Sequence, residues 1–201
     1  FVDQAKYIRI YLPNRIYIKT HQNKFSQSIT LNPNQWQNET GFKKMLSYFY
    51  NQTSYLIDRK IENKGDNFDL NPFSKSEENV LGLNSSFRNS LFYNRGKQLH
   101  SVTYTYVQNE NKNLLSIGSQ EAKNSSNQLQ YNHLYRKSWL FGMFTKTIQT
   151  ALTSENYPEK NYKIEGYQLA PKISYLFSKS TSWDLFYEWQ NKENQIGNFE
   201  T

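Results

Sequence analysis

The chain of 201 residues is long enough for one domain, and 24 Lys and Arg against 17 Asp and Glu give it a net charge of +7. Aromatic side chains make up 16 % of the residues, which excludes a chain that is disordered throughout. Cysteine is absent, which excludes disulfides, thiol catalysis and zinc–thiolate sites, and no apolar run approaches the ~18–20 residues of a transmembrane helix.

The Lys and Arg residues are scattered along the chain. No RNP-type, helix-turn-helix or zinc motif accompanies them, so we predict no nucleic-acid partner. Two interpretations of the positive charge stay open from the sequence. The basic side chains either cover solvated faces and loops, or contact the anionic headgroups of a membrane.

The first predicted element is a hairpin over residues 6–20 that turns at Pro13 and Asn14. One face of its arms carries isoleucines, and the other carries tyrosine, arginine and lysine. Unpaired charge is costly in a dry core, so the second face suits a water-filled lumen better.

Residues 42–61 fit two patterns. Phe42, Met45 and Phe49 have helical spacing, whereas the tyrosines that follow alternate as in a strand. We favour a second hairpin that turns near residues 51–54, because Tyr, Phe, Thr and Ile prefer strands.

The third predicted hairpin turns at Gly96, where a two-residue turn with glycine first sets Leu91 opposite Val102. The fourth predicted hairpin covers residues 129–147 and turns at residues 136–138. This turn places Tyr135 opposite Trp139.

The fifth predicted hairpin, over residues 167–190, has the clearest alternation. Apolar side chains occupy its odd positions and mainly polar ones its even positions, so the two faces of the ribbon differ. Folding it about Ser180 pairs Phe177 with Trp183 and Tyr175 with Leu185. Each arm has about ten residues, which is the length of a tilted membrane-crossing strand.

The predicted turn tips lie near residues 14, 52, 96, 137 and 180, and long polar loops are predicted near 62–82, 108–128 and 153–163. Short turns that alternate with long loops are typical of outer-membrane barrels. We therefore predict one all-β domain over residues 1–201, an antiparallel up-and-down transmembrane β-barrel with about ten strands in this segment. It is either closed or part of a larger barrel.

This prediction assigns side chains to the lipid and to the membrane interface. The lipid-facing side chains are predicted to be Ile173, Tyr175, Leu185 and Tyr187. Aromatic side chains beside the short turns would form the girdle at one membrane interface. These are Tyr93, Tyr135, Trp139, Phe177 and Trp183.

Three segments, LNSSFRNSLFYNR, YKIEGYQLAPKISYLF and DLFYEWQNKENQIGN, resemble parts of large outer-membrane proteins of Bacteroidetes. The resemblance covers roughly residues 40–200. It implies a barrel region near the C-terminal part of a longer chain, located in the bacterial outer membrane. The ending Glu200-Thr201, in place of a terminal aromatic residue, is also expected of a fragment. The resemblance implies no substrate and no site residues.

No catalytic pattern stands out. His21, His100 and His133 are far apart in sequence, and the chain has no nucleophile elbow and no P-loop. We predict no catalytic, cofactor or metal site, and a protein that is not an enzyme. The expected role is that of a channel, an importer or a component of a secretion complex.

The expected partners are outer-membrane lipid and other outer-membrane or periplasmic proteins. Two alternatives from other classes are a soluble surface glycan-binding β-domain and a membrane-embedded hydrolase. Detergent dependence separates the first alternative from the barrel. Loss of an activity on mutation of one Ser or His would be needed to support the second.

Overall fold

The computed structural model describes residues 17–63, 65, 71, 73, 80–96, 99–115, 118–178 and 180–196. Within these residues, nine strands form one antiparallel sheet in which neighbours along the chain are neighbours in space. The strands are β1 (Thr20–Leu31), β2 (Phe49–Glu62), β3 (Val80–Tyr93), β4 (His100–Leu115), β5 (Gly118–Tyr135), β6 (Trp139–Ser154), β7 (Tyr162–Leu176), β8 (Ser182–Phe186) and β9 (Trp189–Asn194). One short helix, α1 (Phe42–Leu46), and the 3₁₀ turns Pro33–Trp36 and Pro158–Lys160 lie in connections.

Strands β8 and β9 act as a single interrupted strand, because both pair with β7 in one continuous register. The interruption lies opposite Pro171 of β7. Proline has no N–H to donate to the ladder, although its carbonyl still accepts a bond from the Tyr187 amide at 3.2 Å. The sheet is therefore an up-and-down meander whose last strand has a gap where its neighbour lacks a donor.

The meander has two distinct ends. Connections 32–48, 94–99, 136–138 and 177–181 lie at one end, which we call the tip end. At the opposite end, which we call the far end, β2, β4 and β6 end and β3, β5 and β7 begin. The tip end thus holds three of the predicted turns, near residues 96, 137 and 180.

The two faces of the sheet differ in chemistry. The pairing places the alternating apolar side chains of all strands on one side, which we call the aromatic face. It carries Phe25, Tyr55, Phe87, Tyr106, Leu129, Phe141, Ile173 and Leu185. The opposite side, the polar face, carries Gln22, Ser54, Ser86, Thr103, Gln128, Lys146, Gln168 and Asp184. This division confirms the period-two alternation that the sequence predicts.

The sheet is a single layer with little core. In the part of the chain that the structure describes, the buried apolar side chains are only Ile57, Leu83 and Ala170. No second layer covers the aromatic face of these described strands. Among the described strands the sheet is not closed, since β1 pairs only with β2, and β8 and β9 pair only with β7. All-β and up-and-down are therefore established, whereas closure into a barrel is not.

The predicted hairpin over residues 42–61 is wrong. Its first part forms α1, and residues 51–54 lie inside the continuous strand β2, between β1 and β3. Polar side chains there find partners within the sheet. The Asn89 amide donates to Thr53 Oγ1 at 2.7 Å and to Asn51 Oδ1 at 3.3 Å. This cross-strand bonding lets Asn and Thr occupy strand positions that resemble a turn in the sequence.

The predicted loop over residues 108–128 is also wrong. Strands β4 and β5 pair along their whole length, from His100 opposite His133 to Leu115 opposite Gly118. Both faces of this part of the sheet are polar, so the sequence shows no apolar alternation. The backbone ladder, which needs no apolar side chains, holds the two strands together.

The other predicted connections have mixed outcomes. The predicted loop over 153–163 is confirmed, because β6 ends at Ser154 and β7 begins at Tyr162. A connection from 63 to 79 replaces the predicted loop over 62–82, and most of it lies outside the described residues. The predicted hairpin over residues 6–20 lies outside them up to residue 16.

Two predicted registers differ from the observed ones by two residues. Leu91 pairs with Tyr104 and Tyr175 pairs with Trp183, while the predicted pair Tyr135 and Trp139 is confirmed. The third hairpin has a wider turn than predicted, with positive φ at both Asn94 and Gly96. A shift of two residues leaves every side chain on its predicted face, because the period of a strand is two.

Candidate functional surface

Aromatic rings line the tip end of the aromatic face. Tyr135, Trp139, Tyr175 and Trp183 occupy one row across four strands, and the Trp139 and Tyr175 ring centroids lie 4.5 Å apart. Phe177, just after β7, packs edge-on against Tyr175 at 4.6 Å.

The remaining predicted girdle residue, Tyr93, ends β3 and has its ring 5.3 Å from that of Phe49. The structure therefore gathers all five predicted girdle residues at the tip end. Four of them share the aromatic face, and Phe177 lies in the connection that follows β7.

The four predicted lipid-facing residues share the aromatic face. Ile173 lies directly opposite Leu185, and Tyr175 lies one row closer to the tip end. Tyr187 follows β8 in the same register. The exposed fractions of Leu185 and Tyr187 are 51 % and 63 %. Apolar side chains of this size are thus left open by the described part of the protein.

A second aromatic row marks the other boundary of the apolar band. The Tyr167 and Trp189 rings contact each other at 4.9 Å, and Phe87 and Tyr106 lie 6.0 Å apart. Between Tyr167 and Tyr175 the band spans about 26 Å along β7, at ~3.3 Å per residue. Only the tip-end row was predicted from the sequence. Tyr167 and Trp189 share its alternation and are the signal that could have revealed the second row.

Beyond the second row the same face becomes polar. The Lys123 ammonium on β5 lies 2.6 Å from the Glu121 carboxylate and 3.8 Å from the Glu110 carboxylate of β4. After β6, the Glu155 carboxylate accepts bonds from the backbone N–H and the hydroxyl of Ser119, both at 3.0 Å. These two bonds hold the pKa of Glu155 below its usual value. The far end is therefore polar on both faces.

The polar face satisfies its groups internally. Ser174 and Lys172 both contact the Asp184 carboxylate, with the Lys172 ammonium at 3.2 Å. On neighbouring strands the hydroxyls of Ser90 and Thr105 lie 3.3 Å apart. Small and hydrogen-bonding side chains dominate this face, which suits contact with water.

The 32–48 connection adds an apolar crevice at the tip end, with a volume of about 640 Å³. Side chains of β1, β2 and β3 on the aromatic face form its floor, and the two short helical segments form its wall. Its apolar lining is Leu31, Trp36, Met45, Leu46, Phe49 and Leu91. The crevice therefore continues the aromatic face.

The structure also brings together two histidines that the sequence analysis treated as distant. His100 and His133 lie directly opposite each other on β4 and β5. His21 lies near the start of β1, at the far end. The hairpin signal that would have paired His100 with His133 was missed because residues 108–128 were predicted to be a loop.

Within the described ranges, no group of three His, Asp or Glu side chains is placed to hold a metal ion. The described residues also contain no helix that is both long and apolar enough to cross a membrane. No protein-family model, curated protein or solved structure matches the chain. The fold and surface define its class as an all-β protein built on a single-layer antiparallel meander.

Proposed function

We propose that this chain forms part of the wall of an outer-membrane β-barrel, whose role is that of a channel, an importer or a component of a secretion complex. One observation carries the proposal. A single-layer sheet exposes an aromatic and apolar band on one face, interrupted on β2 and β3 by Asn51, Thr53 and Asn89, and mainly hydrogen-bonding side chains on the other. Lipid against the first face and a water-filled lumen against the second satisfy both surfaces.

The dimensions of the band support a lipid environment. Strands in such barrels tilt by about 35–45°, so a band of about 26 Å along the strand stands about 19–21 Å tall between its two rows of Cα atoms. Outer-membrane barrels carry an apolar band of about 25 Å with aromatic rows at both interfaces. The row of Trp139 and Trp183 and the row of Tyr167 and Trp189 supply these two boundaries.

The two ends of the sheet support an orientation. Strands β4 and β5 extend past the band at the far end with polar side chains on both faces, which suits water outside the cell. Turn 136–138 follows the tip-end row directly, which suits the periplasmic side. The long connection 32–48 also lies at the tip end, so the proposed orientation rests on the polar extension of β4 and β5 and not on loop length.

The two edge strands of the described sheet need hydrogen-bonding partners in a membrane. Unpaired backbone groups are costly in lipid, so β1 and the β8–β9 strand need partners in the membrane. Further strands of the same barrel, or another outer-membrane protein, would supply them. The partners that the proposal implies are therefore outer-membrane lipid and proteins of the same envelope.

A soluble glycan-binding β-domain is the competing function. Such a domain buries one face of its sheet beneath a second layer. The three buried apolar side chains of the described residues, Ile57, Leu83 and Ala170, give little support to this arrangement. We therefore retain it as an outcome of the test below.

Tryptophan quenching tests the proposal. Single tryptophans are placed by Leu185→Trp and Phe186→Trp in a background whose four native tryptophans are replaced by Phe. The two positions are adjacent and lie on opposite faces. In liposomes, we expect brominated lipid to quench the tryptophan at 185 strongly and the one at 186 weakly, and aqueous iodide to do the reverse.

The wild-type protein supplies a second measurement, since Trp139, Trp183 and Trp189 share the aromatic face. Brominated lipid should quench its emission too. Iodide quenching at both introduced positions, or a monodisperse monomer in the absence of detergent, would show that the chain is not part of a membrane wall.

A further inference from the structure

We infer that His100 and His133 form a two-histidine site for a divalent transition-metal ion, with Cu²⁺ preferred over Ni²⁺ and Zn²⁺. The inference rests on the geometry of these two side chains, which share the aromatic face. The two Nδ1 atoms lie 2.8 Å apart, and the ring centroids lie 4.3 Å apart at an interplanar angle of 15°. Neighbouring strands hold the two residues directly opposite each other.

The distance fits one ion between the two nitrogens. Metal–imidazole bonds are ~2.0–2.1 Å long. Two ligating nitrogens 2.8 Å apart then enclose an angle of close to 90° at the ion. This is the angle between adjacent ligands in the square-planar or tetragonal geometry of Cu²⁺ and Ni²⁺.

The proton balance of the site is simple. In the metal-free pair, an Nδ1–H on His133 can donate to Nδ1 of His100 and to the Leu99 carbonyl, each at 2.8 Å. When both Nδ1 atoms bind the ion, each ring keeps a proton on Nε2. The Nδ1 proton that lies between the two rings in the metal-free pair must therefore leave that atom.

The surroundings restrict the two rings. The His133 ring lies between those of Tyr131 and Phe141, each 6.4 Å away and nearly parallel to it. His100 is exposed, and both histidines lie on the aromatic face, one row in from the Tyr135–Trp139 pair at the tip end. In the proposed membrane wall an ion therefore reaches the pair through the interfacial row, and little side-chain freedom is lost when it binds.

The remaining coordination positions fall to oxygen. No third His, Asp or Glu joins the pair among the described residues. The Leu99 carbonyl lies within reach, and water completes the site. Nitrogen and oxygen ligands in this proportion favour Cu²⁺ by the usual order of divalent affinities.

The chain provides its own background control. It has three histidines and no cysteine, and His21 lies at the opposite end of the sheet. The experiment titrates Cu²⁺ into the folded, untagged protein. Tryptophan quenching reports binding, and electron paramagnetic resonance counts the ligating nitrogens. The variants are His100→Asn, His133→Asn and His21→Asn, each checked for fold by circular dichroism.

We expect the wild type and His21→Asn to bind one equivalent of Cu²⁺ with a two-nitrogen spectrum. His100→Asn and His133→Asn should each bind about 100-fold more weakly, because loss of one ligand removes the gain from double attachment. If the latter two variants do not fold, protection of His100 and His133 from diethyl pyrocarbonate by Zn²⁺ in the wild type gives the same readout. Equal binding by all variants, a one-nitrogen spectrum, or no protection would overturn the inference.

Discussion

The substitution Leu185→Arg, compared with Phe186→Arg, tests the assignment of the two faces most directly. Both side chains are large, apolar and more than half exposed, at 51 % and 59 %. They are neighbours on β8 and point to opposite sides of the sheet. Overall hydrophobicity and position along the chain are therefore matched, and only the face differs.

The expected magnitude follows from the depth of Leu185. An arginine on the lipid face costs ~2–4 kcal/mol at the bilayer midplane and ~0–1 near the interfaces. Leu185 lies one row in from the Trp183–Tyr175 pair, between these limits. We expect Leu185→Arg to destabilise the folded state by about 2 kcal/mol, which lowers the ratio of folded to unfolded protein roughly 30-fold. Phe186 lies on the polar face, so Phe186→Arg should cost less than about 1 kcal/mol.

Reversible guanidinium unfolding in liposomes, followed by tryptophan emission, measures both values. The slope of the unfolding transition should be unchanged, since neither substitution alters the area exposed on unfolding. Equal losses, or a larger loss for Phe186→Arg, would refute the assignment of the aromatic face to lipid.

Three further predictions concern the ends of the sheet and its interrupted strand. A membrane-impermeant maleimide on intact cells should label Glu159→Cys at the far end and leave Lys137→Cys at the tip end unlabelled, and the reverse pattern would invert the proposed orientation. Hydrogen bonds from Ser119 lower the pKa of Glu155, so the stabilisation that this carboxylate gives the far end should be complete above the ordinary glutamate pKa. It should be lost as the pH falls through the lowered pKa. Exchange of the Ser119 amide should accelerate over that acidic range in the wild type, but not in a Glu155→Gln variant. Replacing Pro171 with valine restores an N–H opposite the gap between β8 and β9. This substitution should stabilise the sheet by ~0.5–1.5 kcal/mol and slow the amide exchange of the residues in the gap. Faster exchange would show that the gap has another cause.

The sequence by itself determined the local features of this fold. Alternating apolar and polar side chains predict strands and assign each residue to a face, because successive residues of any strand point to opposite sides. This is why Ile173 and Leu185 share the aromatic face even though the predicted register was shifted. The turn at residues 136–138 was located correctly because it is short and has strongly alternating arms.

Only the tertiary structure decided which strands pair, and in what register. Strands β4 and β5 carry polar side chains on both faces over residues 108–128, so they give no periodic signal, and the backbone ladder alone joins them. Residues 51–54 resemble a turn in composition but lie between β1 and β3. The Asn89 side chain of β3 donates hydrogen bonds to Asn51 and Thr53. The His100–His133 pair depends on the β4–β5 register, so it could not be predicted until that hairpin was known. The open edges of the sheet likewise follow from pairing between distant residues, which local patterns do not encode.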